Sequence, residues 1–321
     1  TAVIGTGIMG QNHARILSEI SCLKTVCDSD IEQGKSVAKR HDANFVKDYE
    51  EIDAEIDAAV ISVPTFLHET VAIDLISKGI NVLVEKPLSN NSASCLRIVN
   101  CAKEKNKILA VGQIERFNPV IKKAKELLES EQWGEVISIS ARRFSNYPDR
   151  IRDVGVIFDL SIHDVDIIRY LLNSKVKSVV SSGGQLVNKN YEDYINILLK
   201  FEDGKIGLCE TNWLTPRKVR EISITTTTHY VIINLLNQDI SISSSKQSNT
   251  DVTNLYNSPL EFETEILKVA PEEPLKNELI DFLSSVENSS TPLVSGEDGL
   301  VSVRVVEAAL KSLNTNKILN F

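Results

Sequence analysis

Four polar, titratable side chains recur along one otherwise apolar segment, Asp159-Leu-Ser-Ile-His163-Asp-Val-Asp166-Ile-Ile-Arg-Tyr170-Leu-Leu. The pattern predicts a helix. At about 100° per residue, Asp159, His163, Asp166 and Tyr170 fall within an arc of about 60°. Leu160, Ile162, Val165, Ile167, Ile168, Leu171 and Leu172 cover most of the remaining surface, with Asp164 and Arg169 as exceptions. Titratable groups on a buried helix are costly unless paired, and such stripes often line sites of proton chemistry. Histidine is the side chain whose ordinary pKa suits it to take or give a proton near neutrality. An Asp and a His four residues apart also occur as a purely structural pair, so the segment alone leaves both roles open.

A lysine stands in a second suggestive place. Glu85-Lys86-Pro87 follows the apolar run Asn81–Val84, which reads as a strand. In an open α/β sheet, ligands bind at the carboxyl ends of the strands. Pro87 fixes its own φ and stiffens the turn, so Lys86 is either held at a ligand or is a solvated surface lysine.

The third constellation is Gly5-Thr6-Gly7-Ile8-Met9-Gly10. A lone GxGxxG is weak, but this one follows the apolar Ala2-Val3-Ile4 and opens a helical pattern. In that context Gly5 permits a tight turn, Gly7 lets the backbone approach a pyrophosphate, and Gly10 lets helix and strand pack closely. The helix N-terminus offers unpaired N–H groups and a positive dipole end to the phosphates. The fingerprint also needs an acid about 20 residues further on, at the end of the second strand. Asp28 ends Leu23–Cys27 and meets that requirement. A carboxylate there accepts from the adenosine ribose hydroxyls and repels a 2′-phosphate, which predicts NAD rather than NADP. The alternative is that Asp28 merely caps the next helix.

The elements around these residues fall into two patterns. Up to about residue 111, short apolar runs alternate with helical stretches: Ala2–Ile4, Leu23–Cys27, Ala58–Val63, Asn81–Val84 and Ile108–Val111 as strands, with helices after Gly10 and near 31–41, 69–78 and 92–106. Such alternation predicts βαβ units and a doubly wound parallel Rossmann sheet. After Asn118-Pro119, one helix leads into longer alternating segments: Val136–Phe144, Ser178–Val187, Tyr194–Phe201, Lys205–Trp213, Glu221–Thr227 and Tyr230–Leu235. These predict an α+β domain with a large, mostly antiparallel open sheet. Helices return at Leu275–Val286 and Gly299–Leu313, and Ser241–Thr250 reads as a polar loop. The expected domains are 1–118, binding the dinucleotide, and 119–321, binding substrate and mediating oligomerisation.

Composition is ordinary for a soluble protein. A chain of 321 residues, 42% hydrophobic and 25% charged, can bury two cores. A net charge of −9 makes nucleic acid a poor partner. The five cysteines are scattered with no zinc-ligand spacing, so they read as reduced buried thiols and no metal is expected. There is no run of 18 apolar residues and no signal peptide pattern, which predicts no membrane association and a cytoplasmic location. Thr1 already lies within the first strand, so a few residues are expected to precede it.

Taken together, GTGIMGQNHAR, Val63-Pro64-Thr65-Phe-Leu-His68, Glu85-Lys86-Pro87, Asp159-x-x-x-His163 and the stretch from Pro274 through Gly299 resemble the glucose-fructose oxidoreductase/inositol dehydrogenase/MocA (Gfo/Idh/MocA) family over essentially the whole chain. The resemblance implies an NAD-dependent dehydrogenase acting on a sugar CH–OH group and assembling as a homodimer or homotetramer through its open sheet. It implies that Lys86 orients the substrate hydroxyl and lowers its pKa, that His163 is the general base, and that Asp159 orients substrate or His163. Val63, Pro64, Thr65, His68, Glu85 and Gln113 would line the nicotinamide end of the cofactor. Gly112–Pro119, Asp153–Asp159 and Leu235–Ile240 resemble the subgroup that oxidises UDP-N-acetylglucosamine at C3. Arg116 and Asn118 would then face the sugar, with Arg142, Arg143, Arg152 and Arg217 as candidates for the diphosphate. Thr225–Thr228 and His229 depart from the family, which has a glycine-containing turn there. Two other readings remain open: an inositol or free-sugar dehydrogenase of the same family, and a regulator that senses NAD or a sugar without turnover. Reduction of an enone or imine, with His163 as proton donor, is a further alternative.

Overall fold

The computed structural model describes residues 1–53, 55–148, 154–245 and 262–321. Contacts divide the chain into two compact units, Thr1–Phe117 with Glu273–Glu307, and Asn118–Glu272 with Ala308–Phe321.

The first unit is a Rossmann sheet. Strands β1 (Ala2–Ile4), β2 (Thr25–Cys27), β3 (Asn44–Val46), β4 (Ala58–Ile61), β5 (Asn81–Glu85) and β6 (Leu109–Gly112) are all parallel, in the order β3-β2-β1-β4-β5-β6. β1, β2, β4 and β6 are buried along their whole length and β5 nearly so, as expected of strands covered by helices on both faces. The helices are α1 (Ile8–Ile20), α2 (Ile31–Arg40), α3 (His68–Ser77) and α4 (Ser92–Glu104). Side-chain caps fix two of their starts: Asp30 accepts from Gln33 N at 3.0 Å, and Asn91 accepts from Ser94 N at 2.8 Å. β3 was not expected from sequence; it has only three residues, none of them fully buried.

The chain returns to this unit late. α7 (Pro274–Asn288) places Leu275, Leu279 and Phe282 in the same core as Val3, Ala14, Leu17 and Val60. The sequence division, which put everything after residue 118 in the second domain, therefore needs correcting for Glu273–Glu307. The periodicity of α7 shows that it has an apolar face, but not which core receives that face.

The second unit holds a nine-stranded sheet in the order β14-β13-β12-β11-β7-β10-β9-β8-β15. Its strands are β7 (Val136–Phe144), β8 (Val176–Gly184), β9 (Tyr194–Phe201), β10 (Ile206–Asn212), β11 (Val219–Thr226), β12 (His229–Asn234), β13 (Asp239–Ser245), β14 (Phe262–Lys268) and β15 (Leu319–Asn320). All pairings are antiparallel except β7 with β10. Burial alternates residue by residue along β9, with Ile195, Ile197, Leu199 and Phe201 inward. α5 (Pro119–Glu129) and α6 (Ile162–Leu172) belong to this unit, and α6 packs on β7 and β10. α8 (Gly296–Thr315) precedes β15.

β13 corrects the expected loop at 241–250: Ser241 to Ser244 are paired with β12 and Ser241 to Ser245 with β14, and the residues 246–250 lie outside the described ones. Alternating Ile and Ser suits a strand with one polar face. The turn between β11 and β12 closes without glycine, because Thr226 Oγ1 accepts from Thr228 N at 3.2 Å and His229 N at 2.9 Å and also donates to the Trp133 carbonyl.

Candidate functional site

The first unit gathers the glycine turn, Asp28, the Val63–His68 segment, Glu85-Lys86 and Gln113 at the carboxyl ends of β1, β2, β4, β5 and β6. β1 and β4 are neighbours at the point where the strand order reverses, the place where such sheets bind dinucleotides.

The three glycines do different work. Gly5 has φ +88°, and a Cβ there would lie 2.7 Å from the Ser62 carbonyl oxygen. A Cβ on Gly10 would lie 1.8 Å from the Gly5 oxygen, so helix and turn touch backbone to backbone. A Cβ on Gly7 would meet nothing within 4 Å. Packing therefore does not require glycine at position 7, and the space beside it is where a pyrophosphate would approach. Gly7 caps α1 with no side-chain hydrogen bond, which leaves the first N–H groups, at Ile8, Met9 and Gly10, without a side-chain acceptor. These features fit an NAD diphosphate.

The turn is held from behind by contacts that sequence reasoning missed. Asp28 Oδ2 accepts from Thr6 N at 2.6 Å and from Thr6 Oγ1 at 2.5 Å, while Oδ1 accepts from Asp30 N at 2.8 Å. The Thr6 carbonyl accepts from Gln11 Nε2 at 3.1 Å and from Gln33 Nε2. Ser62 Oγ donates to the Gly5 carbonyl at 2.8 Å. Thr6 is thus fully buried and bonded through its N–H, hydroxyl and carbonyl groups. Asp28 thus braces the glycine turn, and the cap of the following helix is Asp30, not Asp28.

Beside the turn, the Val63–His68 segment is tied to the Lys86-Pro87 turn. The His68 ring lies with Nδ1 2.9 Å from the Pro87 carbonyl and Nε2 2.9 Å from the Val63 carbonyl. Burial pushes the His68 pKa down, against the raising effect of those carbonyls and of Glu85. In the neutral ring only one nitrogen donates, and the other contact becomes a hydrogen bond in the imidazolium. Pro64 and Thr65 lead into a short 3₁₀ turn, Thr65–Leu67, between these contacts.

Glu85 is buried, with Oε1 2.8 Å from His13 Nε2 and Oε2 accepting from Lys86 N at 3.2 Å. Burial by itself would raise its pKa, but the His13 hydrogen bond and the charges of His13 and Lys86 hold it below the usual carboxylate range. Glu85 therefore braces the backbone of Lys86, whose side chain is half-buried. Gln113 is 1% exposed, and neither its amide nitrogen nor its amide oxygen has a hydrogen-bond partner among the described residues. A buried amide in that state suits a ligand that itself carries an amide, such as the nicotinamide carboxamide.

A cavity of about 950 Å³ in this unit opens at the opposite, N-terminal edge of the strands, beside Thr1, Ala58, Asn81 and Leu109. It lies away from the glycine turn and is not the cofactor site.

In the second unit, Asp159 and His163 lie on a helix that begins irregularly. Ile157–Ser161 form a π-turn, in which Ile162 N donates to the Ile157 carbonyl, and α6 continues from Ile162. The even 100° spacing expected over 159–163 is interrupted by this wider turn. Asp159 is half-buried and His163 is 9% exposed. Glu192 holds the start of the turn: its carbonyl accepts from Val156 N at 3.1 Å, and its side-chain Oε1 accepts from Ile157 N at 3.1 Å. Asp193 next to it accepts from the N–H groups of Leu186, Val187 and Asn188.

The rest of the expected stripe is structural. Asp166 is 1% exposed, with Arg169 3.9 Å away, and Tyr170 lies beneath the Lys125 ammonium at 5.3 Å. Asp164 forms a buried pair with Arg143 at 2.8 Å, which removes Arg143 from the candidates for a substrate phosphate. Arg142 is paired with Glu210 and lies 3.9 Å from Glu221. Arg116, expected to face a sugar, is buried in the first unit, donating to the Leu293 carbonyl at 3.0 Å and to Asp298 at 3.1 Å. Asn118 caps α5 and donates to the Leu235 carbonyl at 3.1 Å. Arg217 is exposed, and Arg152 lies outside the described residues.

The five thiols are all free; Cys22 is exposed, which corrects the expectation that all are buried. Among the described residues, no helix is long and apolar enough to cross a membrane.

Comparison with known proteins agrees with this architecture. Residues 1–113 match the oxidoreductase family with an NAD-binding Rossmann fold, and residues 121–231 match the GFO/IDH/MocA C-terminal domain. The chain is 30% identical to a scyllo-inositol 2-dehydrogenase (NAD(+)) of Bacillus subtilis (strain 168), over 97% of this chain and 93% of that protein. It is 26% identical to a UDP-N-acetylglucosamine 3-dehydrogenase of Acidithiobacillus ferrooxidans, over 97% and 95%. A solved structure of the enzyme of that name and organism superposes with a TM-score of 0.88 at 24% identity, covering 97% of this chain and 96% of that one. The likeness runs along nearly the whole chain, and the chain belongs to the Gfo/Idh/MocA oxidoreductase family, with an NAD-binding Rossmann domain at its N-terminus.

Proposed function

We propose that this protein is an NAD-dependent dehydrogenase that oxidises a secondary hydroxyl of a sugar or nucleotide sugar to a ketone, with C3 of UDP-N-acetylglucosamine as the first substrate to test. The observation that carries the reading is the Asp159–His163 segment, a carboxylate on a braced π-turn and an imidazole just beyond it, in a chain whose other unit binds NAD. Bound NAD supplies the hydride acceptor. His163 takes the hydroxyl proton as the bond to oxygen breaks. The Lys86 ammonium stabilises the negative charge that develops on that oxygen, and Asp159 orients the hydroxyl or the His163 ring. Gly5, Gly7, Ile8, Met9, Gly10 and Asp28 hold the adenosine diphosphate half, while Val63, Pro64, Thr65, His68 and Gln113 line the nicotinamide half. Glu85 supports that lining through the backbone of Lys86.

One observation favours a second reading, oxidation of inositol or a free sugar. Of the arginines expected at a diphosphate, Arg143 is buried against Asp164 and Arg142 is paired with Glu210, which leaves Arg217 exposed among the described ones, and Arg116, expected at the sugar, is bound to Asp298. The inositol relative is also the more identical of the two compared, 30% against 26%. Incubation with NAD and UDP-N-acetylglucosamine, followed by NADH absorbance, tests the first reading. Silence there with turnover of inositols or free sugars moves the substrate to the second. Binding of NAD without turnover across the panel makes the protein a sensor and overturns both.

The same reading includes a homo-oligomer formed through the open face of the sheet. Leu208 is paired across that face with Leu198 and Ser140, and Leu198, Ile206 and Leu208 are exposed. A monomeric mass by light scattering would dismiss it.

A further inference from the structure

The start of the turn carrying Asp159 and His163 depends on one acidic side chain that comes from the strand connection before β9. Glu192 is 6% exposed. Its Oε1 accepts from Ile157 N, and its main-chain carbonyl accepts from Val156 N. These are two of the N–H groups that a helix start leaves without intrahelical partners. The contact is close: a Cβ on Gly155 would lie 2.0 Å from Glu192 Oε1 and 2.4 Å from Oε2, so position 155 must lack a side chain for the carboxyl to sit there.

Glu192 is itself held rigidly. The neighbouring Asp193 N donates to the Gly184 carbonyl at 2.9 Å, the Asp193 carbonyl accepts from Trp213 N at 2.9 Å, and its carboxylate gathers three successive N–H groups, at Leu186, Val187 and Asn188. Two adjacent acids thus face opposite ways, one fixing the β8–β9 connection and the other the helix start.

We propose that Glu192 is a positioning residue: by accepting from Ile157 N across Gly155, it holds Ile157–Ser161 as a π-turn and so sets the direction in which Asp159 and His163 are presented. A π-turn is rare and is found at functional sites. Its ladder is one residue wider than that of an α-helix, and relaxation to the α ladder rotates a side chain by about 100° for each residue of slip. Asp159 lies in the turn and His163 just beyond it, so the slip would change their mutual orientation rather than move them together. Burial, with the charge of Asp193, pushes the Glu192 pKa up, against the Ile157 N–H and the helix dipole, which favour its anionic form at this end.

The proposal rests on the reading of His163 as the base, and the test separates the two. Glu192→Ala, Glu192→Gln and Gly155→Ala would be compared with the native chain by turnover, NAD affinity, amide exchange over residues 157–161 and the NMR resonances of labelled histidine. The Gln side chain keeps an oxygen acceptor for Ile157 N, so it should stay within a few-fold of native turnover and keep the native exchange pattern. Glu192→Ala and Gly155→Ala should lose protection over 157–161, shift the His163 resonance and lower kcat by about 100-fold, the scale of a misplacement near 1 Å, with NAD affinity unchanged. If the native chain turns over no sugar yet the exchange and resonance changes occur, the catalytic reading fails and the positioning role stands. If Glu192→Ala keeps native exchange and resonance, or if Gln fails to rescue what Ala loses, the positioning role is overturned.

Discussion

The glycine turn of the first unit and the Asp159–His163 turn of the second are both helix starts, yet they are built in opposite ways. At the glycine turn the groups proposed to hold the cofactor are backbone N–H groups, with no side-chain cap and open space beside Gly7. Asp28, Gln11, Gln33 and Ser62 hold the turn from behind. At the second turn the groups proposed to act are side chains, and Glu192 accepts from Ile157 N through its carboxyl and from Val156 N through its carbonyl. A helix start left uncapped can take an anionic ligand. One capped by an internal carboxylate cannot, and it instead becomes a fixed mount for the residues that follow.

The largest expected effect tests the second mount. His163→Asn should lower kcat by about 10²–10⁴-fold, the usual worth of a general base, with NAD affinity intact in a fluorescence titration. Survival of activity would remove the base assignment. The next tests the first turn. Gly10→Ala forces a methyl onto the Gly5 carbonyl and should cost about 1–3 kcal/mol of stability, with weakened NAD binding, read by thermal denaturation with and without cofactor. An equal loss of melting temperature and no loss of NAD binding would mean that the turn is only structural. Smaller still, Asp28→Asn leaves one side-chain oxygen to hold Thr6 and removes the charge, so NAD affinity should fall by about tenfold, on the scale of one charge-assisted hydrogen bond, while discrimination against NADP shrinks. Unchanged discrimination would confine Asp28 to bracing Thr6.

The smallest effect concerns a carboxyl behind the first site. Glu278 on α7 is 2% exposed, neither side-chain oxygen has a hydrogen-bond partner among the described residues, and burial together with the charges of Glu85 and Asp281 raises its pKa well above the ordinary range. A carboxyl whose folded pKa lies above its unfolded value of about 4.3 contributes stability below that value and loses it as pH rises toward the folded pKa. Glu278→Gln should therefore match the native chain at pH 4 and melt a few degrees higher at pH 8. A difference independent of pH would show that packing, not ionisation, sets the cost at this position. Glu85, with its pKa lowered, has the opposite sign: its contribution is present above about pH 4.3 and is lost as pH falls through the folded value.

Much of the first unit was legible because its chemistry is local in sequence. A strand, three glycines and a helix start lie within twenty residues, and the acid at the end of the next strand follows directly. Even there, the bonds from Asp28 to Thr6 were hidden, since spacing shows that an acid is near the turn but not that it faces inward. In the second unit the Asp and His were visible and their stripe was over-read. Asp166 and Tyr170 share the face by periodicity, yet Arg169 and Lys125 pair with them. Arg116 looked like a sugar contact and Arg143 like a diphosphate binder because residue type alone does not show whether a guanidinium is buried against a carboxylate.

What the amino-acid order determined by itself was the set of local devices: alternation of strand and helix, a glycine turn before a helix, and a histidine and a lysine of types suited to the proposed chemistry. Each depends on neighbours a few residues apart, and hydrophobic period and steric rules act at that range. Tertiary structure alone decided that α7 joins the first core, that Arg143 is spent on Asp164, and that the turn bearing Asp159 and His163 starts against Glu192. Those outcomes depend on contacts between residues far apart in the chain, where a buried charge or an unpaired N–H must find its partner, and no spacing rule in the sequence names that partner.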